Sequence, residues 1–524
     1  MFDLLIRGAE VADGSGRSRF QADIGVRDGK IASVGKLADA QARQTIDAAG
    51  KIVAPGFIDV HNHSDGWLLV QPHLWAKTSQ GFTTEVLMAD GISYAPTTAE
   101  DAPQWIHYLR SLNGLKQSDY DGWLSLTDYA ARLDKANVQN FALHIPYANL
   151  RVLQTGWSRA AVDDFQMRSI RADIAAEMAN GAVGLSTGLD YISQCFATTD
   201  ELVEACVPVA QAGGLYVTHV RYKKGLLPAV AEAVEIGERS GVKIHVSHLK
   251  SLDPREVEAL LKYIDTTASH RCDFSFDVYP YQPSSTMLNY LLPYEIWERG
   301  PLAAVDALRD PAVKRRFADG LAAYRLPLGR LRIAWCQDSG YTDYHGRTLE
   351  DVVNEAGLPP EETLLRMLID NNLSVLLVLE DGDDRHVYPM LKHSKCILGT
   401  DGIYHAGGQI HPRVYGSAGR LIGPLVRDAK LFSLEDAVAR LTSRPAERFG
   451  LVDRGVIAEG KVADLVVFDA DEVSDMATYS DPHQTCSGIE TVVVNGQVVV
   501  RNGEPAEISG ELPGRWLKAE FAKK

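Results

Sequence analysis

The run Gly214-Leu215-Tyr216-Val217-Thr218-His219 is followed by an amphipathic stretch from Pro228 to Ser240 and then by Lys243-Ile244-His245-Val246-Ser247-His248. Both short runs are rich in β-branched and aromatic residues, the chemistry of a buried strand. The stretch between them repeats its apolar residues at helical spacing. A second helical stretch, Pro254 to Ile264, leads into a third apolar run at 273–279. Strand, helix, strand, helix, strand is a chain of βαβ units, and such crossovers make a parallel sheet.

Outward from this stretch, residues 56–61, 83–89, 140–146, 182–187 and 396–400 read as further strands. Eight strands alternating with helices predict an α/β fold, a (β/α)8 barrel of the TIM type, over residues 55–451. The chain ends read differently. Arg27-Asp28-Gly29-Lys30 is a hairpin turn, and Thr491 to Val500 is two strands joined by Asn495-Gly496. Residues 1–54 and 452–515 are therefore expected to form one small β-sandwich built from both termini. The segment from about Pro283 to Arg347 breaks the rhythm with Trp297, Pro301, Pro311, Pro327 and the basic stretch Val313-Lys314-Arg315-Arg316-Phe317. It is expected to be an insertion above the barrel mouth, either a lid or a surface ornament.

With 524 residues, 45% of them hydrophobic, the chain can fill a large barrel and a smaller unit. A formal net charge of −16 argues against nucleic acid or an anionic membrane as partner. Cys195, Cys206, Cys272, Cys336, Cys396 and Cys486 contain no Cys-x-x-Cys pair and make no disulfide framework, which points to a reducing, cytoplasmic setting. The start, Met1 to Arg7, carries an early acid and lacks the apolar region of a signal peptide. No stretch approaches the roughly 18 uncharged apolar residues of a membrane span. The expected partner is a small molecule; a homo-oligomer stays open.

Polar residues stand where the strands end. His61 and His63 are spaced i, i+2 and so face the same side of an extended chain. Thr83 to Ala89 runs into Asp90-Gly91, two later strands end at His219 and His248, and the last delivers Asp401-Gly402. A lone histidine at a strand end is more often a hydrogen-bonded core residue, and Asp-Gly alone is a common turn pair. Four histidines and two aspartates in barrel order outweigh both readings. His245, three residues before His248, is expected on the opposite face by strand alternation. Imidazoles with carboxylates suit zinc or a similar divalent ion, which acidifies water toward neutral pH. Asp401 is the natural general base, taking a proton from that water and handing it to a leaving nitrogen.

These residues sit in a pattern that resembles the metal-dependent amidohydrolase superfamily and, within it, the N-acyl-D-amino-acid deacylases (D-aminoacylases). The likeness runs nearly end to end. It includes Pro55-Gly56-Phe57-Ile58-Asp59-Val60-His61-Asn62-His63, Gln80-Gly81-Phe82-Thr83-Thr84, Gly184 to Tyr191 and Thr218-His219-Val220-Arg221. It continues through Val246-Ser247-His248-Leu249-Lys250, Asp277-Val278-Tyr279-Pro280-Tyr281, Thr400-Asp401-Gly402, His411-Pro412-Arg413 and the tail from Ser443 to Phe468. The resemblance implies a barrel with a two-termini β-sandwich and hydrolysis of an amide C–N bond. It also implies zinc, one ion or two, held at His219 and His248 with a weaker second site at His61 and His63. It assigns Lys250, Tyr281 and Arg413 to the substrate carboxylate, a role suited to cationic and phenolic donors, and adds Tyr191 to the substrate site. The family usually has Asn-Cys-Gly after the Thr-Thr strand. Here Ala89-Asp90-Gly91 stands in that place, so a carboxylate replaces a thiolate. Tyr222-Lys223-Lys224 follows Arg221 where the family tends to be acidic, and the loop Ile192 to Phe196 lacks the usual Pro-Pro-Gly.

Among rivals, a hydantoinase or dihydroorotase type of cyclic amide hydrolase usually bridges two metals with a carboxylated lysine, and no lysine stands at the corresponding strand ends. A zinc deaminase is weaker. A non-catalytic binding homologue would have lost ligands that this chain keeps.

Overall fold

The computed structural model describes residues 1–324 and 327–521. Its centre is a (β/α)8 barrel. Eight strand positions follow in chain order: Phe57–Asp59, Phe82–Leu87, Asn140–Leu143 continued by Ile145–Pro146, Gly184–Gly188, Leu215–His219, Lys243–Val246, Phe274–Asp277 and Cys396–Ile397. Each pairs in parallel with the next. A parallel bridge between Asn62 and Gly402, with Asp401 N donating to His61 O at 2.7 Å, sets the last strand beside the first.

Nearly every strand residue is buried, because helices cover one face and barrel side chains fill the other. The helix Leu226–Ser240 shows how the outer layer forms. Leu226, Ala229, Val230, Ala233, Val234 and Ile236 make its buried stripe, and Gly241 ends it at φ 77° in the left-handed region that glycine adopts freely. Thr198 and Asp253 cap the helices Thr199–Gln211 and Pro254–Tyr263 by accepting from backbone N–H groups of the first turn.

The β-sandwich sheet has nine strands drawn from both ends of the chain. Ile52–Pro55 and Leu465–Phe468 join the two halves in antiparallel register. Leu4, Ile6, Val11, Ile24 and Val26 from one half share a core with Leu465, Val467 and Val493 from the other. The hairpin turns follow their chemistry: Asn495 and Gly496 both have positive φ, 48° and 82°, as a two-residue turn of this type requires. The C-terminal segment leaves this unit before residue 515. Leu517 N donates to Phe141 O and Ala519 N to Gly181 O, so the tail returns to the barrel.

The insertion is a three-stranded antiparallel sheet in the order Ser284–Met287, Val375–Leu379, Leu331–Cys336. It extends past the expected end at Arg347, because the apolar run Val375-Leu376-Leu377-Val378-Leu379 is its central strand and pairs on both sides. The basic stretch lies in the helix Pro311–Tyr324; residues 325–326 of the expected segment lie outside the described residues. All six cysteines are free. Among the described residues no helix is long and apolar enough to cross a membrane.

Candidate metal centre and its cavity

Six side chains converge where the barrel strands end, the face on which this fold concentrates its chemistry. His61 and His63 follow Phe57–Asp59, and His219 closes Leu215–His219. Asp90, His248 and Asp401 lie just beyond their strands with φ of 57°, 36° and 50°. A positive φ is uncommon outside glycine and turns each side chain off its strand's alternation. Gly399 allows the last strand to come close: a Cβ there would lie 2.7 Å from Asp277 Oδ1 and 2.7 Å from His61 Cβ.

The donor atoms lie at ligand spacing. His63 Nε2 is 3.2 Å from Asp401 Oδ1, and His219 Nδ1 is 3.1 Å from His248 Nε2. His61 Nε2 is 3.7 Å from both Asp90 Oδ1 and Asp401 Oδ1, and Asp90 Oδ2 is 3.8 Å from His63 Nε2 and 3.9 Å from His219 Nδ1. Two ligands of one tetrahedral ion, each about 2.0–2.1 Å from it, stand about 3.3 Å apart. His61, Asp90 and His248 form one candidate set and His61, His63 and Asp401 another, each with its donors within 4.8 Å.

Both ring nitrogens of His61 and Asp90 Oδ1 are buried with no hydrogen bond, which is costly unless something else satisfies them. Burial pushes His61 well below its ordinary value and His248 down to about 3. Burial also pushes Asp90 up to about 6 against the pull of His219 and His63. Burial opposes a charged Asp401, but the Arg413 guanidinium and then His63 override it and hold the carboxyl well below its usual range. Imidazoles beside carboxylates are the donor set of a divalent cation, and these residues fit one.

A polar group stands at the rear of each imidazole, as in ligand histidines whose second nitrogen is held. Asn113 Oδ1 is 3.2 Å from His63 Nδ1, and Tyr222 Oη is 3.2 Å from His248 Nδ1. Asp190 Oδ2 is 3.7 Å from His219 Nε2, and Asp277 Oδ2 is 3.8 Å from His61 Nδ1. Asp190 is held at about 2: burial opposes its charge, but His219 and the hydroxyls of Tyr294 and Tyr290 outweigh that. Asp277 Oδ1 also accepts from the His248 backbone N at 2.9 Å. His245 does not point away from the site as alternation suggested. Its Nε2 lies 3.0 Å from Asp277 Oδ2 beneath the centre. His248 is the residue that has left the strand, at φ 36°, so counting parity across it fails.

A cavity of about 260 Å³ opens beside the centre. His63, His219, His248 and Asp401 form its floor; Tyr191, Tyr222, Tyr279, Tyr290 and Lys250 stand around it, and Ser284, Ser285 and Thr286 bring the inserted sheet to its wall. Lys250 Nζ donates to the carbonyls of Tyr281, Gln282 and Pro283 at 3.3, 2.8 and 2.7 Å and lies 3.9 Å from the Tyr279 ring centre.

Two expected carboxylate-binding residues are placed elsewhere. Tyr281 does not line the cavity; its hydroxyl donates to Asp475 Oδ2 at 3.0 Å. Tyr281 N bonds to Tyr279 O at 2.9 Å, an i to i+2 turn that breaks alternation and leaves Tyr279 facing the cavity. Arg413 is fully buried behind Asp401. Its Nη1 lies 2.8 Å from Asp401 Oδ2, and the guanidinium is 4.4 Å from the Tyr279 ring centre. Sequence reasoning gave no site role to Asp190, Tyr222, Asp277 or Tyr279, although Asp190, Asp277 and Tyr279 stand in quoted motifs and Tyr222 in a quoted departure from the family pattern.

A family model described as the amidohydrolase family matches residues 44–500. The chain belongs to the amidohydrolase family. It is 34% identical over 525 residues to a D-aminoacylase of Alcaligenes xylosoxydans xylosoxydans, covering 98% of this chain and 97% of that protein. It is 33% identical to an N-acyl-D-glutamate deacylase of the same organism, covering 99% and 97%. Among solved structures, N-acyl-D-glutamate deacylase from Bordetella bronchiseptica, complexed with zinc and a phosphonate mimic of the tetrahedral intermediate, superposes with a TM-score of 0.83 at 32% identity. That match covers 99% of this amidohydrolase and 100% of that chain.

Proposed function

We propose that this amidohydrolase cleaves the C–N bond of an N-acyl-D-amino acid or a related small amide, releasing a carboxylate and an amine. The observation that carries this reading is the convergence of His61, His63, Asp90, His219, His248 and Asp401 on one centre, with His63, His219, His248 and Asp401 on the floor of one cavity. These side chains would hold zinc, one ion or two, or another divalent metal; the two candidate sets share His61. Such an ion supplies Lewis acidity, polarising an amide carbonyl and acidifying water.

The chain's own residues supply the proton traffic. Asp401 Oδ1 is the general base that takes a proton from the attacking water as its oxygen bonds to the carbonyl carbon. Arg413 holds the other carboxylate oxygen, which keeps Asp401 ionised and fixed in direction. Once the C–N bond breaks, Asp401 returns that proton to the leaving nitrogen. Tyr191 and Lys250, on the cavity wall, meet the substrate; Arg413 acts on Asp401 rather than on a substrate carboxylate. The identity to deacylases of N-acyl-D-amino acids supports the substrate class and the D configuration. A net charge of −16 supports a small-molecule partner over nucleic acid, and six free cysteines support a cytoplasmic home.

The test is elemental analysis of the purified protein, then a turnover screen over N-acyl-D-amino acids, N-acyl-L-amino acids and cyclic ureides. Bound divalent metal with D-selective release of amine is expected. Turnover confined to cyclic ureides would overturn the proposal.

A further inference from the structure

The proposed proton transfers make no use of Asp190, yet it is buried directly behind His219, with 4% of its surface exposed. His219 Nε2, 3.7 Å from Asp190 Oδ2, is a buried ring nitrogen with no hydrogen bond. The carboxylate is gripped on both oxygens. Tyr294 Oη donates to Oδ1 at 2.6 Å, and Tyr290 Oη and the Lys223 backbone N donate to Oδ2 at 2.9 and 3.2 Å. The two tyrosines come from the insertion, on the short helical turns Leu288–Leu291 and Tyr294–Trp297. Lys223 binds the same piece: its Nζ donates to Tyr290 O at 2.8 Å and lies 4.4 and 4.5 Å from the centres of the Tyr290 and Tyr294 rings.

We propose that Asp190 is a positioning residue that couples the inserted segment 288–297 to the cation-holding face of His219. The inference rests on the reading of His219 as a metal ligand. An imidazole that offers Nδ1 to an ion carries its proton on Nε2. A carboxylate behind that nitrogen fixes the tautomer and the ring direction and makes Nδ1 more basic. Asp190 is an acid at that nitrogen, and two phenols of the insertion set the direction of its carboxylate. Tyr290 also faces the cavity, with its ring centre 5.7 Å from that of Tyr191. The segment that walls the substrate space is thereby tied to a ligand of the centre. Binding linkage makes the coupling mutual: an ion at His219 orders 288–297 by the same free energy with which that segment favours the ion.

The experiment measures zinc affinity of the metal-stripped full-length protein by competition with a chromogenic chelator, together with amide hydrogen exchange of a peptide spanning 288–297. In the wild type, zinc is expected to slow exchange across 288–297. Asp190→Asn keeps the shape but loses the charge, and is expected to weaken zinc by roughly 10- to 100-fold and to remove the zinc-dependent protection. The pair Tyr290→Phe and Tyr294→Phe is expected to weaken zinc in the wild-type background and to add nothing in the Asp190→Asn background, because the phenols act through Asp190. If Asp190→Asn fails to fold, the tyrosine pair decides by its own affinity and exchange. Wild-type zinc affinity in these variants, or full additivity of the tyrosine and Asp190 effects, would overturn the coupling. A wild-type protein that binds no divalent cation would instead remove the underlying reading of the centre, and the coupling with it.

Discussion

Arg413 tests the catalytic assignment most sharply, because its two readings differ in kinetics. Its side chain is fully buried, its Nη1 lies 2.8 Å from Asp401 Oδ2, and it does not line the cavity. The contact is an ion pair; taken at the scale of a polar contact to a charged group, about 1.5–3 kcal/mol, it converts to about 10- to 150-fold in rate at 1.36 kcal/mol per factor of ten. Arg413→Met should therefore lower kcat by that range with little change in KM. The loss should be the same for an N-acyl amino acid and for its neutral carboxamide analogue, since the guanidinium serves Asp401 and not the substrate. Arg413→Lys, which keeps a charge but not the planar fork, should recover part of the rate. The assay is steady-state kinetics on both substrates, with thermal melting to verify folding, because breaking a buried ion pair costs stability as well. A rise in KM confined to the carboxylate-bearing substrate, with kcat intact, would refute the argument and return Arg413 to substrate binding.

Asp401→Asn should lower kcat by roughly 10²–10⁴-fold, the range for losing a general base, while elemental analysis finds most of the metal retained. Asp90→Ala should lower metal content; an unchanged ratio of metal to protein would exclude Asp90 from the ligands. Tyr281→Phe removes the bond to the Asp475 carboxylate and should cost about 1.5–3 kcal/mol of stability in urea melts with KM unaltered. Burial pushes Glu85, ordinarily near 4.5, up to about 7. Between those values the native state keeps a proton that the unfolded chain has released, so stability falls as pH rises through the window, by about 3 kcal/mol in all. Glu85→Gln should remove that slope, which urea melts at pH 5 and pH 8 would reveal.

The barrel was legible because its signal is local. Leu215 to His219 and Lys243 to Val246 each carry strand chemistry in a few consecutive residues, with the helical stripe of Leu226–Ser240 between them. The six residues at the centre could be named for the same reason: each stands at or just past a strand end. What surrounds them could not be counted out from the strands. His245 faces Asp277 because His248, its reference residue, lies beyond the strand at positive φ. Tyr279 rather than Tyr281 faces the cavity because of the turn at Pro280. Asp190 gains its meaning from Tyr290 and Tyr294, about a hundred positions downstream. The extent of the inserted sheet was hidden likewise, since Val375–Leu379 reads as any buried strand until its two antiparallel partners are known.

Asp90, His248 and Asp401 hold backbone angles that glycine tolerates better than any side chain does. Strain of this kind costs on the order of 1–3 kcal/mol per residue. Glycine at any one of the three would relax the local backbone while deleting a donor atom from the centre. Directed evolution that selects only for heat resistance would therefore enrich inactive proteins at these three codons, and a thermostability campaign on this scaffold needs a turnover screen running beside it from the first round.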